Sequence, residues 1–178
     1  MLTLLVIPVV MGEIQSDEFN AGSLTAPWKW SKEPAGNWKL DGGKLTIEAD
    51  TNANLWAAND AHFLYQESTG DFDMETQFDA EWDTSSMVLG LVAQSVTDDN
   101  WVTLKLWGRG GDAWAEYATA DKALTEPLYV GIYAGVADPT GTLTTSFDFV
   151  RDALGPADTA VEPRNKLATV WGRIKQVQ

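Results

Sequence analysis

Between residues 71 and 83 the chain reads DFDMETQFDAEWD, with polar and mostly acidic residues at nearly every second position and apolar residues between them. Alternate side chains of a β-strand point to opposite faces. This phase therefore sends Phe72, Met74, Phe78, Ala80 and Trp82 one way and Asp71, Asp73, Glu75, Gln77, Asp79 and Glu81 the other. The spacing predicts one strand with its apolar face, Trp82 included, on a core and its other face anionic.

The remainder of the chain has the same character. Helical periodicity is nearly absent, and short β-rich runs recur between clusters of Gly, Pro, Asn and Asp, which predicts about ten strands in an all-β sandwich. NWKLDGGKLTIEA is the clearest unit: Asp41-Gly42-Gly43 supplies the positive-φ residues of a tight turn between Trp38 and Leu40 on one side and Leu45 and Ile47 on the other. LWAA, HFLYQE, MVLGLVAQSV, WVTLKLWG, AWAEYAT, PLYVGIYAGV and LTTSFDFVRD follow as strand candidates. TDDN, GRGGD and ADPTGT between them are turn chemistry. Trp101 and Trp107 point the same way if WVTLKLWG is one unbroken strand.

A length of 178 residues suits one domain with a substantial core. An apolar content of 44% and nine Trp exclude a disordered chain. The net charge of -14 disfavours nucleic acid and anionic membranes and suits neutral ligands such as sugars. With no cysteine, disulfides, thiolate zinc sites and cysteine nucleophiles are all excluded.

Both termini differ from the middle. The apolar run Leu2 to Met11 is too short to span a bilayer and has the length of a signal-peptide core, although no Lys or Arg precedes it. Residues 1–12 are therefore read as a signal remnant, 13–152 as the sandwich, and 153–178 as a linker-like segment with a basic tail. That tail carries Arg164, Lys166, Arg173 and Lys175 against Glu162, and Leu167, Trp171 and Ile174 fit one helical face.

The acid row invites a glycosidase reading through Asp73, Glu75, Asp79 or Glu81. Same-face neighbours two residues apart are roughly 6.5 to 7 Å apart at the backbone, between the carboxyl separations for retention and inversion. A working pair also needs one acid held protonated while its partner stays ionised. The row is continuous, with no aromatic among the acids to desolvate one, so a solvated face is the expectation. The single histidine, His62, lies in an apolar setting and is read as a strand residue rather than a catalyst.

Tryptophan is the unusual resource, because a flat indole stacks on the apolar face of a pyranose while neighbouring polar groups bind hydroxyls. Trp56 stands in a turn-rich setting with Asn52, Asn54, Asn59 and Asp60. Trp56, Asn54, Asn59 and Asp60 are the candidate ligand-binding residues.

With strands and aromatics placed, residues 16 to 152 carry SDEFN, PWKWSKEPAGNWKLDGGKLTIEA, LWAAND, HFLYQESTGDFDMETQF and a late SFDF in that order. This resembles the concanavalin A-like (laminin-G/jelly-roll) sandwich superfamily, and within it the non-catalytic modules of bacterial β-xylosidases. The resemblance implies a two-sheet antiparallel jelly roll, secreted and lectin-like, accessory to polysaccharide or glycan recognition. It also implies a structural calcium near the paired termini, which by position falls to Asp17, Glu18 and Asp148. The E-x-D-x-x-E pattern of sandwich glucanases does not stand in DAEWD. The expectation is thus a secreted, monomeric, non-catalytic carbohydrate-binding module that does not insert into membranes. The alternatives are a hydrolase of β-glucan or xylan, and a structural or adhesion domain whose basic tail docks a partner.

Overall fold

A computed structural model describes residues 14–51, 53, 61–69, 72–84, 87–97, 101–103, 106–110, 113–118, 124–152 and 168–174, with side chains for all of these except 101–118 and 168–174. Among the described residues twelve strands, numbered in chain order, form two sheets whose ladders are all antiparallel. The smaller sheet has the order β1 (Lys29–Trp30), β4 (His62–Ser68), β10 (Leu128–Val136), β6 (Met87–Ser95), β7 (Trp101–Thr103). The larger has β2 (Trp38–Leu40), β3 (Leu45–Glu48), β11 (Leu143–Asp152), β5 (Phe72–Trp82), β12 (Ala168–Ile174), β8 (Leu106–Gly110), β9 (Ala113–Ala118). This is a two-sheet antiparallel sandwich, and neither sheet closes on itself.

The core lies where the two sheets face. Leu64, Leu91, Val130 and Ile132 from the smaller sheet meet Leu45, Ile47, Phe72, Met74, Phe147 and Val150 from the larger, all nearly or fully buried. Each such side chain contributes about 1.5–3 kcal/mol relative to exposure. The hairpin at Asp41 to Lys44 forms as expected. Gly42 and Gly43 both take positive φ, and Asp41 and Lys44 exchange backbone hydrogen bonds of 3.0 and 3.2 Å, which sets Trp38 opposite Ile47 and Leu40 opposite Leu45.

The smaller sheet is apolar on its other face too. Phe63, Tyr65, Val88, Val92 and Tyr133 form a second buried cluster there, with Tyr129 against it. That explains why its strands read as nearly continuous apolar runs rather than as alternations. The Tyr65 and Tyr129 rings lie 4.0 Å apart, and burial pushes the Tyr65 phenol up to about 12.

The segment from Ile14 closes one side of the sandwich. Gln15 and Gln66 exchange hydrogen bonds of 2.8 and 2.7 Å, and Asp17 bridges Val150 through two backbone bonds. Two expectations change. WVTLKLWG is not one strand, since β7 and β8 belong to different sheets. The helical reading of the tail also gives way, because Ala168–Ile174 is a strand paired with β5 and β8.

Candidate ligand-binding end of the sandwich

Trp82 ends β5 in the core-facing phase yet is 54% exposed, the one exposed large hydrophobic among the described residues. Among the described residues β11 follows β5 to its last residue, with Leu143 opposite Trp82, and β12 pairs with it from Phe72 to Gln77. Burial then declines along the phase, with Phe78 and Ala80 half-buried before Trp82 emerges.

The turns beyond Trp82 are tied together. The Thr142 N–H donates to Asp83 Oδ1 at 2.6 Å, and the Asp83 N–H donates to the Thr142 carbonyl at 3.3 Å. Asp138 accepts from the Thr140 N–H (2.9 Å), the Thr140 hydroxyl (3.0 Å) and the Thr84 hydroxyl (3.2 Å). Those donors, the Thr140 N–H foremost, lower the Asp138 pKa and keep it ionised. A Cβ at position 141 would strike the Thr84 side chain, so Gly141 lets these two turns touch. An indole open to water therefore ends β5 directly before the Asp83–Thr84 turn and its bonded partners at Asp138 and Thr140–Thr142, while Glu81 points to the opposite face of the sheet. Such a set stacks on one face of a sugar ring and hydrogen-bonds its hydroxyls.

The acid row faces outward as the alternation predicts, but it is not a uniformly solvated surface. Glu75 is half-buried, and burial raises its pKa above the ordinary 4.5, aided by Asp73 and Glu18 and opposed by the Arg151 guanidinium. Arg151 stands opposite Glu75 in the ladder and grips Glu18 with two bonds of 2.6 and 2.9 Å while lying 4.0 Å over the Phe149 ring. Further along, Lys44 reaches Asp79 at 3.5 Å and Asp148 at 3.2 Å. Asp148 occupies a bulge of β11 between Phe147 and Phe149.

Of the residues singled out from sequence, Trp56, Asn54, Asn59 and Asp60 lie outside the described residues. The residues expected to hold calcium make the following contacts. Asp17 accepts from the Phe19 N–H (2.7 Å) and Trp28 Nε1–H (2.8 Å), Glu18 holds Arg151, and Asp148 pairs with Lys44. Among the described residues no group of three or more His, Asp or Glu is placed to hold a metal ion. His62 is fully buried, with Nε2 accepting from the Asp50 N–H at 3.0 Å and Nδ1 3.2 Å from the Lys32 carbonyl, a structural position. The core role expected for Trp82 is the clear correction. The usable signal was its position at the end of the alternation, immediately before the turn-forming Asp83.

No protein-family model matches the chain, and no curated protein matches it in sequence. Solved structures do match in shape. A functionally unknown protein from Saccharomyces cerevisiae superposes with a TM-score of 0.56 at 15% identity, over 72% of this chain and 97% of that one. The GH43 protein BlXynB from Bacillus licheniformis matches with a TM-score of 0.58 at 14% identity, and a mutant of it with 0.60 at 15%. In both, 77% of this chain is covered but only 38% of the other, so the chain corresponds to somewhat over a third of that protein. At these identities the likeness is one of fold: a β-sandwich shared with a portion of a GH43 protein and with the yeast protein.

Proposed function

We propose that this chain is a secreted, non-catalytic carbohydrate-binding module of concanavalin A-like jelly-roll type, and that Trp82 is its stacking platform. The observation that carries the reading is the exposed indole at the end of an acidic strand, with its flanking turns fixed by Asp83 and Asp138. A rigid aromatic with carboxylates and hydroxyls beside it suits neutral polyols better than phosphates, which the net charge of -14 repels. The likeness to part of a GH43 protein supports an association with carbohydrate.

Affinity electrophoresis through gels containing xylan, β-glucan or cellulose derivatives tests it. Wild type is expected to be retarded in at least one gel, and Trp82→Ala to run as it does without polysaccharide. Identical mobility of the two proteins in every gel would remove Trp82 as the platform, and Trp56→Ala in parallel reports on the sequence-derived alternative.

A second reading has one observation in its favour. Glu75, raised by burial, stands two residues from Asp73 on the same face of β5, and a glycoside hydrolase requires one carboxylic acid of such a pair held protonated. Release of reducing sugar from β-glucan or xylan by wild type, lost in Glu75→Gln, would establish it. No release by wild type would discard it.

A further inference from the structure

His62 is the single histidine of the chain; it begins β4 and is fully buried. Both ring nitrogens are committed. The Asp50 N–H is a donor, so Nε2 at 3.0 Å accepts from it, and the ring proton then stands on Nδ1, 3.2 Å from the Lys32 carbonyl, which only accepts. The neutral Nδ1–H tautomer satisfies both neighbours. Asp50 also brings its carboxylate to the same nitrogen, with Oδ2 3.4 Å from Nε2, while the Asn37 amide reaches Oδ1 at 3.5 Å. From the segment after β1 the ring meets Lys32 through its backbone carbonyl, and on β10 its ladder partner is Ala134. One residue thus offers Nε2 a donor and an acceptor, and the charge of the ring decides which is used. A protonated Nε2 donates to the carboxylate and no longer accepts from the N–H.

Asp50 stands where the chain crosses from one sheet to the other at the Trp82 end. Before it, the Ala49 N–H donates to the Leu143 carbonyl at 2.9 Å, and Ala49, Leu143 and Trp82 share the core-facing phase in one row across the larger sheet. After it, Thr51 and Ala53 both bridge Val136 at the end of β10, two residues before the Asp138 that holds Thr84 and Thr140. A Cβ at position 135 would strike the Ala53 carbonyl, so Gly135 lets this crossing lie directly on β10. We infer that His62 is a positioning residue for the ligand-binding end: neutral, it fixes the Asp50 backbone and with it the crossing; protonated, it exchanges the Asp50 N–H for the Asp50 carboxylate, which turns the crossing and weakens glycan capture in acid. The effect on capture rests on the glycan reading above, whereas the exchange of partners does not.

Nitrogen-15 labelling of histidine in the full chain tests the exchange without a ligand, because one residue supplies every imidazole signal. At pH 7.5 Nδ1 is expected to carry the proton and Nε2 to be bare. Between pH 7.5 and 5.0 the ring is expected to protonate, and the Asp50 amide and Trp82 indole resonances to move with the same midpoint. An Nε2–H tautomer at pH 7.5, a ring still neutral at pH 5.0, or a ring that protonates while those two resonances stay fixed would overturn the inference. Affinity electrophoresis adds the binding readout, each mobility being compared with a polysaccharide-free gel at the same pH. In whichever of the xylan, β-glucan and cellulose-derivative gels retards wild type, apparent affinity is expected to fall about tenfold from pH 7.5 to pH 5.0. His62→Gln, whose amide oxygen still accepts from the Asp50 N–H but does not titrate, is expected to reduce that fall to under about threefold. An equal fall in both proteins would assign it to other groups, such as Glu75, and overturn the role of His62 while leaving glycan binding standing. Retardation in no gel at either pH would remove the glycan reading, and the histidine spectra would still decide the exchange.

Discussion

Phe72 and Trp82 occupy the same phase of the same strand, yet Phe72 is 1% exposed and Trp82 54%. Phe72 pairs with Ile174 of β12, β11 joins β5 from Met74 onward, and Ile14 and Phe19 are buried in the same core cluster as Phe72. Among the described residues β11 is the strand beside Trp82. Alternation decides which way a side chain points, but what packs over that face decides whether it is covered. The same pattern thus builds a core anchor at one end and an open aromatic at the other. The acids of the strand follow the gradient, with Glu75 half-buried beside Arg151 and Glu81 exposed.

Substitutions at the two ends should separate accordingly. The largest effect is expected from Phe72→Ala, which leaves a cavity between the sheets and should cost about 3–5 kcal/mol in urea unfolding. Next comes Arg151→Ala, which removes the bidentate grip on Glu18 and the stacking on Phe149. A loss of about 1–2 kcal/mol is expected, larger than an exposed pair gives because the arginine is mostly covered. Trp82→Ala should change the same unfolding midpoint by less than about 1 kcal/mol, since the side chain has little cover to lose. A cost for Trp82→Ala that approaches that of Phe72→Ala would erase the distinction between the two ends.

Glu75→Gln gives the smallest effect and a signed pH dependence. The folded pKa of Glu75 is raised, so wild type loses stability as pH climbs from the unfolded value through the folded one, and above that range the full cost of an ionised, half-buried carboxylate is present. The glutamine variant escapes this cost. Relative to wild type it should gain stability between pH 4 and pH 7 in paired urea titrations, and an advantage that shrinks toward pH 7 would show that the Arg151 pairing dominates instead.

What was legible in the sequence was local. The two-residue period placed Asp73, Glu75, Asp79 and Glu81 on one face and Phe72 and Met74 on the other, because strand geometry depends only on adjacent residues. Gly42 and Gly43 specified their turn for the same reason. What escaped depends on distant chain. The exposure of Trp82 depends on what packs over the end of β5, which alternation within the strand does not show. The tail reads as a helical face over too few residues to nucleate, and becomes a strand because β5 and β8 supply ladder partners. The row of acids looked evenly solvated because burial of Glu75 depends on how closely β11 and the Glu18 segment pack beside it.

The account turns on whether Trp82 is where a glycan sits. Nine tryptophans give nine indole N–H resonances, and Trp82→Phe identifies the one that belongs to Trp82. On titration with the oligosaccharide of whichever polysaccharide retards the wild type most, that resonance is predicted to shift furthest and to track saturation. A Trp82 resonance that stays fixed while other indoles move would contradict the account and place the binding surface elsewhere on the sandwich.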